Sequence, residues 1–523
     1  MKKVPAPQPV IEERDLADLP EGWAQSTLSE ICDINPPKPA ANSVHEAELV
    51  TFVPMPAVDE TLGAISKPDL RPFSKVRKGY TAFRDNDVIM AKITPCMENG
   101  KAAIARGLQN GLGFGSTEFH VLRSLGAVLP DYVYHFIRRD TYRNAAEAEM
   151  TGSVGQKRVP AAFLESSTVS LPPLGEQRRI VAKIEALFEQ NRTVSSHLAK
   201  VPKMLKAFRQ SVLAAACSGR LTEDWRERHP VEESAEILLA RIDQEQAKSS
   251  KTLPQKTTDN DNLTDLPELP DLWRWAAMGR VADIQGGIQK QPKRAPRKHA
   301  YPYLRVANVL RDHLDLSEIQ NMELFEGELE TYRLRHNDLL IVEGNGSINE
   351  IGRSALWTGE IKDCVHQNHI IRVRARLCFP EYLNIYWNSP IGIGRVKDEA
   401  VTTAGLYSLS TKKVASLSAP IAPLEEQHEI VRRVEALFTL AEKIEERVAT
   451  ATKHADKLTQ SILAKAFRGE LVPTEAELAR KEGRDYEPAP VLLERIKSER
   501  QKVVSTSNGP KRARRSGTAL VRS

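Results

Sequence analysis

The chain has 523 residues, a formal net charge of +5, and 41% hydrophobic against 27% charged residues. This length exceeds what one hydrophobic core supports, so we expect two or more domains. No apolar run approaches the roughly 18 residues needed to cross a bilayer, and no apolar signal segment is visible. Five cysteines without a C-x-x-C pair fit a reducing compartment. The composition favours a cytoplasmic protein, while the weak positive charge does not identify a partner.

The first predicted domain covers residues 19–170 and follows a proline-rich segment, 1–18, that we expect to be loose. The domain opens at Leu19-Pro20-Glu21-Gly22-Trp23. A helix is predicted after Pro130, because proline suits the first helical position. Short strands and helices without a regular βαβ rhythm indicate an α+β domain. The strand-like runs are 87–93, 102–105 and 119–123.

Asn35-Pro36-Pro37 is the motif of this domain that comes nearest to catalytic chemistry. An Asn-Pro-Pro-aromatic sequence holds the target amino group in adenine-N6 methyltransferases, but Lys38 occupies the aromatic position here. No glycine-rich strand–turn–helix segment that could hold S-adenosylmethionine accompanies the motif. We favour a proline-locked turn, and keep a self-sufficient adenine methyltransferase as an alternative.

A long helix is predicted over residues 171–218. Pro173 begins it, and Glu176 lies in the first turn, where the helix dipole favours a carboxylate. The apolar positions alternate by three and four residues, which is the spacing of a coiled coil. We expect a rod of roughly 66 Å at 1.5 Å per residue, kinked or weakened at Pro202. A shorter helix and a polar linker are predicted over 219–265.

The same arrangement then recurs. A second domain is predicted over 266–420 and a second long helix over 421–468, whose Pro-Leu-x-Glu-Gln start at Pro423 lies 250 residues after Pro173. So long a period indicates a duplicated domain plus helix rather than a solenoid. The remaining segment, 469–523, is predicted to hold another short helix and a basic tail. The residues expected to pair the helices or to contact other subunits are Glu176, Gln177, Ile180, Ile184, Leu187, Phe188, Glu426, Gln427, Ile430, Val434, Leu437 and Phe438.

Polar loops, rather than catalytic motifs, contain the candidate binding residues. No P-loop, His-Glu-x-x-His or Gly-x-Ser-x-Gly motif occurs. Lysine and arginine suit contacts with phosphates, and side-chain amides suit adenine edges. The candidates in the first domain are Lys92, Thr94, Asn99, Lys101, Ser116, Thr117, Glu118, Gln156, Lys157 and Arg158. Those in the second domain are Lys290, Lys293, Arg294, Arg297, Lys298, Asn345, Ser347, Asn349, Gln367, Asn368, His369, Tyr407, Lys412 and Lys413.

Cys364, His366, His369 and Cys378 have the residue types of a zinc site. Their spacing is irregular, and the first domain has no counterparts, so we expect no metal. No set of residues in the sequence therefore predicts an enzyme.

The arrangement resembles the specificity subunit of type I restriction–modification systems. The resemblance rests on the two Leu-Pro-x-x-Trp openings, on the two Pro-Leu-x-Glu-Gln helices, and on Ser116-Thr117-Glu118-Phe119 matched by Gln367-Asn368-His369-Ile370. It covers residues 19–470. It implies two α+β target recognition domains, each binding one half of a bipartite DNA site, alternating with two long helices that form an antiparallel coiled coil.

The same resemblance implies the partners and cofactors. Two methyltransferase subunits would dock on the helices, and restriction/translocase subunits would join for cleavage, in a bacterial or archaeal cytoplasm. This chain would bind double-stranded DNA and no cofactor, since S-adenosylmethionine, ATP and Mg²⁺ are used by the partner subunits. Because the loops of the two domains differ, the DNA site should be asymmetric. A coiled-coil scaffold that does not bind DNA is the remaining alternative.

Overall fold

The computed structural model describes residues 19–40, 44–60, 63–153, 155–230, 232–249, 266–403 and 406–507. The predicted loose N-terminus, most of the predicted linker and the basic tail lie outside these residues. The chain divides into two compact units. Unit 1 combines residues 1–198 with 450–523, and unit 2 comprises residues 199–449.

The domain of unit 1 is built from short strands and helices. In chain order these are β1 (Ala24–Thr27), α1 (Leu28–Ile31), β2 (Cys32–Ile34), β3 (Leu49–Val53), β4 (Asp69–Pro72), α2 (Phe73–Val76), β5 (Thr81–Arg84), β6 (Val88–Ala91), β7 (Ala102–Ile104), β8 (Leu112–Gly115), β9 (Phe119–Ser124), α3 (Pro130–Ile137), α4 (Asp140–Ala148), α5 (Ala161–Ser166) and β10 (Thr168–Leu171). Two four-stranded sheets have the orders β2–β9–β6–β7 and β4–β3–β8–β5, and β1 pairs with β10. The three predicted strands correspond to β6, β7 and β9.

The first long helix is interrupted. The helix α6 (Leu174–Leu198) ends in unit 1, and α7 (Val201–Cys217), with Pro202 in its first turn, begins in unit 2. Proline lacks an N–H and its ring obstructs the preceding turn, so the weakening predicted at Pro202 takes the form of a break. Two shorter helices follow, α8 (Glu223–Arg228) and α9 (Ala235–Ser249).

The domain of unit 2 repeats the plan of the first with different loops. Its elements are β11 (Arg274–Ala277), α10 (Met278–Val281), β12 (Ala282–Gly286), β13 (Ala300–Leu304), β14 (Gln320–Glu323), α11 (Glu328–Tyr332), β15 (Asp338–Val342), β16 (Gly344–Asn345), β17 (Ser354–Trp357), β18 (Val365–His366), β19 (Ile370–Ala375), α12 (Pro380–Trp387), α13 (Pro390–Glu399), β20 (Val401–Thr403), β21 (Leu406–Ser408), α14 (Thr411–Ser416) and β22 (Ser418–Ile421). The sheets have the orders β12–β19–β15–β17, β14–β13–β18 and β16–β21–β20, and β11 pairs with β22.

The second long helix is continuous. The helix α15 (Leu424–Phe467) has 44 residues, and it begins in unit 2 and ends in unit 1. Two C-terminal helices, α16 (Glu475–Glu482) and α17 (Ala489–Ser507), complete unit 1. The N–H of Ala489 donates to the carbonyl of Gly22 at 2.8 Å, just as the N–H of Ala235, which begins α9, donates to the carbonyl of Leu272 at 3.0 Å in unit 2. Each unit therefore closes with an equivalent helix.

Within each unit the long helices run antiparallel, as expected. In unit 1, Ile184 on α6 shares an apolar cluster with Ile462 on α15, and Asn191, further along α6, donates to the carbonyl of the earlier residue Ala455 at 2.9 Å. In unit 2, Arg209 on α7 forms a bidentate ion pair with Glu445 at 2.7 and 3.1 Å. Later residues of α7 share a cluster with earlier residues of α15, which is the same antiparallel sense.

A buried aspartate marks the same place in both domains. Asp87 precedes β6 and accepts two hydrogen bonds from Arg123, at 2.8 and 2.7 Å. Asp338 begins β15 and accepts two from Arg374, both at 2.7 Å. A buried carboxylate needs such a partner, so the duplication extends to the interior of the sheets. No described helix is both long and apolar enough to cross a membrane.

Candidate nucleic-acid interface

Three candidate residues of unit 1 lie close together at one end of the β2–β9–β6–β7 sheet, where β6 ends and β9 begins. The N–H of Lys92, just after β6, donates to the carbonyl of Glu118, just before β9, at 2.9 Å. The N–H of Val159 then donates to the carbonyl of Lys92, also at 2.9 Å. These backbone bonds bring Lys92, Glu118 and Arg158 together, and we name this group the unit-1 edge.

An ion pair joins two residues of the unit-1 edge. Arg158 donates from Nε and Nη2 to the two carboxylate oxygens of Glu118, both at 2.9 Å, and from Nη1 to the carbonyl of Gln156 at 2.9 Å. The Arg158 hydrogen bonds hold the pKa of Glu118 below its ordinary value, so the carboxylate stays ionised. The Arg158 side chain is 42% exposed and that of Glu118 is 24% exposed. The guanidinium is therefore oriented and still accessible.

The other candidates of the first domain lie in the loops that flank this edge. Thr94 donates its hydroxyl to Glu98 at 2.8 Å, and the hydroxyl of Ser116 accepts the N–H of Glu118 at 3.2 Å, so both also have local structural roles. Lys101 is half-buried. The remaining candidates are exposed, namely Asn99, Thr117, Gln156 and Lys157.

Asn35 of the Asn-Pro-Pro motif is engaged inside the fold. It follows β2 in the left-handed conformation, with φ of 53°. Its side-chain oxygen accepts the N–H of Val121 at 3.0 Å, and its amide nitrogen lies 3.1 Å from Nδ1 of His120. Burial lowers the pKa of His120, so that ring is neutral and its Nε2–H donates to the carbonyl of Val159 at 2.8 Å. Asn35 is therefore linked to the unit-1 edge through His120, which is hydrogen-bonded to the residue that follows Arg158.

Unit 2 has the same backbone arrangement with different side chains. The N–H of Glu343, just after β15, donates to the carbonyl of His369 at 2.9 Å, and the N–H of Leu409 donates to the carbonyl of Glu343 at 2.8 Å. Ser408 precedes Leu409 as Arg158 precedes Val159. We name Glu343, His369 and Ser408 the unit-2 edge. Nδ1 of His369 lies 3.1 Å from the Glu343 carboxylate, so the side-chain pair of this edge stands at the positions of Glu118 and Lys92 and not at those of Arg158 and Glu118.

Several amides predicted to contact bases also have local partners. The Asn345 side-chain oxygen accepts the N–H of Ser347 at 2.9 Å, and the Ser347 hydroxyl accepts the N–H of Asn349 at 3.3 Å. Asn349 accepts from the Lys397 ammonium at 2.8 Å. Asn345 also pairs with Tyr407 across β16 and β21. These bonds fix the loop between β16 and β17. They leave fewer side-chain amides and hydroxyls free for DNA bases than the sequence predicts.

The segment between β18 and β19 lies at the same edge. The N–H of Gln367 donates to the carbonyl of Leu304 at 3.0 Å, and that of Asn368 to the carbonyl of Ile288 at 2.9 Å. Both side chains are half-buried, so the backbone fixes their positions. Lys413 is paired with Glu399, whereas Lys412 is exposed on α14.

One arginine of the basic loop after β12 has a partner that the sequence does not predict. The sequence predicts that Arg294 contacts DNA, but its side chain is only 11% exposed and donates to both oxygens of Glu328, at 2.7 and 2.8 Å. That carboxylate raises the pKa of Arg294, and Arg294 in turn lowers the pKa of Glu328. An arginine so paired anchors the loop, and only a small part of its side chain is open to solvent, so its contact with DNA stays a prediction. The other four cations of the loop are exposed: Lys290, Lys293, Arg297 and Lys298.

The residues beneath this loop are not predicted by the sequence. The carboxylate of Glu323 accepts the N–H groups of Arg297 and His299 at 2.8 and 2.9 Å. Beside it, Lys290, Gln320 and Asn321 are among the residues lining a cleft of about 660 Å³. The acids and amides come from β14 and α11, more than 20 positions along the chain, so no local pattern in the loop predicts them.

The four residues that have the types of zinc ligands do not belong to one cluster. Cys364 belongs to one apolar cluster and Cys378 to another. His366 is buried, and its Nδ1 lies 2.9 Å from the carbonyl of Ile370. Across the described ranges, no group of three or more potential ligands is placed to hold a metal ion.

The Glu-Gln pair that begins each long helix joins the helix to its own domain. Glu176 is fully buried and accepts the indole N–H of Trp23 at 2.9 Å and the N–H of Glu475 at 2.8 Å. Burial raises its pKa. Glu426 accepts the indole N–H of Trp273 at 2.8 Å, and is also paired with Arg226. Both glutamates are therefore buried within their own unit.

Each glutamine satisfies backbone groups that the domain leaves unpaired. Gln177 donates to the carbonyls of Ala127 and Pro172 and accepts the N–H of Leu129, all within 2.9 Å. Gln427 donates to the carbonyl of Ala422 at 2.8 Å and accepts the N–H of Phe379 at 2.9 Å. The remaining predicted helix residues pack within their own units. Ile180, Ile184, Ile430 and Val434 are buried, whereas Leu187, Phe188, Leu437 and Phe438 are half-buried.

Comparison with known proteins identifies relatives along most of the chain. A family model described as the type I restriction modification DNA specificity domain matches residues 20–203. The EcoKI specificity subunit of Escherichia coli K12 is 32% identical over 405 residues, which cover 76% of each chain. The EcoAI specificity subunit of Escherichia coli is 28% identical over 517 residues, covering 89% of this chain and 85% of its own.

A solved structure has the same fold. The crystal structure of the HsdS subunit from Thermoanaerobacter tengcongensis aligns with a TM-score of 0.60 at 23% identity. The alignment covers 86% of this chain and 98% of that subunit. At this identity the likeness supports the fold alone.

The role of Gln177 in joining α6 to its domain predicts a large loss of stability on substitution. Gln177→Leu leaves three backbone groups without a partner, two of them buried, and an unpaired buried group costs about 1–3 kcal/mol. We expect the midpoint of thermal or urea unfolding to fall clearly. The matched control is Gln190→Leu on the same helix. The Gln190 side chain is exposed, so this variant should unfold at the same midpoint as the parent chain. Equal midpoints for the two variants would contradict this role.

Proposed function

The chain belongs to the specificity subunits of type I restriction–modification systems, and from that premise we propose how its two units share the recognition of DNA. The chain is the DNA-sequence-recognition subunit and is not itself catalytic. We propose that the unit-1 edge and the unit-2 edge each contact one half of a bipartite site. Methyltransferase and restriction subunits then act at the position that the two contacts define.

One observation supports this proposal most strongly. The two edges share the same pair of backbone hydrogen bonds, yet Lys92, Glu118 and Arg158 in unit 1 are replaced in unit 2 by side chains of different charge. Two edges with the same backbone hydrogen bonds and different side chains are suited to recognising two different DNA sequences, because base edges are distinguished by their hydrogen-bond donors and acceptors. The full DNA site is therefore asymmetric. Linking two weak half-site contacts in one chain raises the effective concentration of the second.

The topology puts the basic loop of unit 2 on the same side as its edge. The strand β12 runs antiparallel to β19, and β19 runs antiparallel to β15, so β12 and β15 end on one side of the sheet. Lys290 follows β12, and Glu343 follows β15. Four exposed cations thus lie where phosphates flanking a bound half-site would be expected.

The engaged Asn35 weighs against the alternative of a self-sufficient methyltransferase. Its side-chain oxygen and amide both have partners in the fold, so it has no free acceptor aimed at a base. We propose that two methyltransferase subunits supply adenine methylation with S-adenosylmethionine, and that restriction subunits supply cleavage with ATP and Mg²⁺.

The helices offer a surface for those subunits. In unit 1, Val194 on α6 is 50% exposed and Leu458 on α15 is 47% exposed. In unit 2, Met204 and Leu440 are 66% and 51% exposed. Exposed apolar side chains mark a protein interface where they form a contiguous patch. We propose that these side chains belong to such patches and that methyltransferase subunits cover them.

The proposed function predicts a gapped methylation motif. Genomic DNA from a host expressing this chain with its methyltransferase subunit should contain modified adenines at a two-part, asymmetric motif, detected by single-molecule sequencing. Deleting this chain should remove the motif. A folded complex that methylates no gapped motif would contradict the recognition role and favour a scaffold.

The basic loop should determine part of the salt dependence of DNA binding. The double variant Arg297→Gln/Lys298→Gln should reduce the log–log salt slope by about 0.9 for each phosphate that the loop no longer neutralises. The matched control is Arg335→Gln/Lys362→Gln, which removes the same charge from exposed positions near the opposite end of β15. Equal slopes for both double variants would remove the loop from the interface.

The exposed apolar residues should affect assembly without affecting folding. Leu458→Asp should weaken binding of the methyltransferase subunit in a pull-down or by calorimetry, while the unfolding midpoint stays near that of the parent chain. Leu187→Asp differs because Leu187 packs on the unit-1 core, so burying its charge should lower the midpoint. Gln190→Asp adds the same charge to an exposed polar site and should bind normally. Unchanged binding by Leu458→Asp would exclude this surface.

A further inference from the structure

The Arg158–Glu118 pair of the unit-1 edge is not required by the fold. Unit 2 makes the same two backbone hydrogen bonds at the same place, at 2.9 and 2.8 Å, with Ser408 and His369 at the equivalent positions. The three chain segments therefore meet in this way without an arginine at the position of Arg158 or a glutamate at the position of Glu118. The charged pair in unit 1 is not needed for the backbone arrangement.

The geometry of Arg158 fits a specific ligand. Its Nε and Nη2 donate to Glu118 and its Nη1 donates to the carbonyl of Gln156. A guanidinium has five N–H donors, so one on each terminal nitrogen has no partner among the described residues. A guanidinium that presents its two terminal nitrogens in a fixed plane has the donors to match the O6 and N7 acceptors of guanine in the major groove.

Glu118 fixes the orientation of this donor pair. A bidentate carboxylate–arginine contact sets the plane of the guanidinium. The backbone on both sides is also fixed, because Arg158 exchanges two hydrogen bonds with Thr151, at 3.0 and 2.8 Å, and Lys157 accepts the N–H of Thr94 at 3.1 Å. An arginine preorganised in this way loses less freedom when it binds a base than a free surface arginine does.

We propose that Arg158, oriented by Glu118, reads a guanine in the half-site bound by unit 1. Arg158 is the specificity-determining residue and Glu118 is a positioning residue. Unit 2, which has Ser408 at the equivalent position, does not read a guanine in this way. This inference rests on the proposed function, and it adds the base, the atoms and the division of roles.

The test uses the complex of the full chain with its methyltransferase subunit on a randomised duplex library, with methylated sequences read out. Arg158→Lys keeps the charge and loses the planar pair of donors. We expect one G·C position in one half-site to lose discrimination by roughly 5- to 150-fold, which is the range for a bidentate base contact. The other half-site and the salt slope should not change. The control Arg106→Lys alters an arginine that is 57% exposed and paired with Asp131 in the same unit, and it should retain the full motif.

Glu118→Ala tests the positioning role. It should relax the same G·C position, and the double variant with Arg158→Lys should relax that position no further, because both act through one contact. Uniform loss of methylation with an unchanged motif would mean a phosphate or structural role and would overturn the proposal. An unchanged motif in Arg158→Lys would also overturn it. If the parent complex produces no gapped motif at all, the proposed function itself fails, which is a different result.

Discussion

The junction between each long helix and its domain depends on one buried glutamate. Glu176 and Glu426 lie in the first turn of α6 and α15, and each accepts the indole N–H of the tryptophan that opens its domain. A carboxylate removed from water must be fully hydrogen-bonded, so the tryptophan, the helix start and the sheet cannot shift independently. The adjacent glutamine adds bonds to backbone groups of its own domain. The result is a sheet whose edge has a defined position with respect to its helix.

The two units satisfy this glutamate differently. In unit 2, Arg226 and Thr222 on the segment after α7 contact Glu426. In unit 1, the backbone N–H of Glu475 at the start of α16 takes this place, and the Glu475 carboxylate is paired with Arg179 at 2.5 Å. The segment that contains α16 is thus the element that completes the buried site of unit 1. The C-terminal helices are therefore needed by the N-terminal domain.

The sequence predicts those features that repeat or follow a local period. The coiled-coil spacing, the weak point at Pro202, the strand near residue 88 and the helix after Pro130 all arise from such patterns. Partners distant along the chain are not predictable in this way. In the sequence Arg294 looks like an unpaired cation, because its partner Glu328 lies 34 residues away. Asn35 looks like part of a catalytic motif, because its contact with Val121 forms only when β2 pairs with β9 and is not visible in the sequence. Side-chain function at the edges depends on contacts of this kind.

The backbone arrangement at the two edges explains how one fold can serve two sequences. At each edge the crossing is maintained by main-chain N–H and carbonyl groups, which every residue except proline provides. The side chains at the crossing are consequently free to change from Lys92 to Glu343 or from Arg158 to Ser408 without loss of these bonds. A half-site preference can change through substitutions at the edge, whereas the Glu-Gln pair must stay because its bonds are made by side chains. This separation of main-chain support from side-chain contact accounts for two domains that begin their long helices alike and differ at their edges.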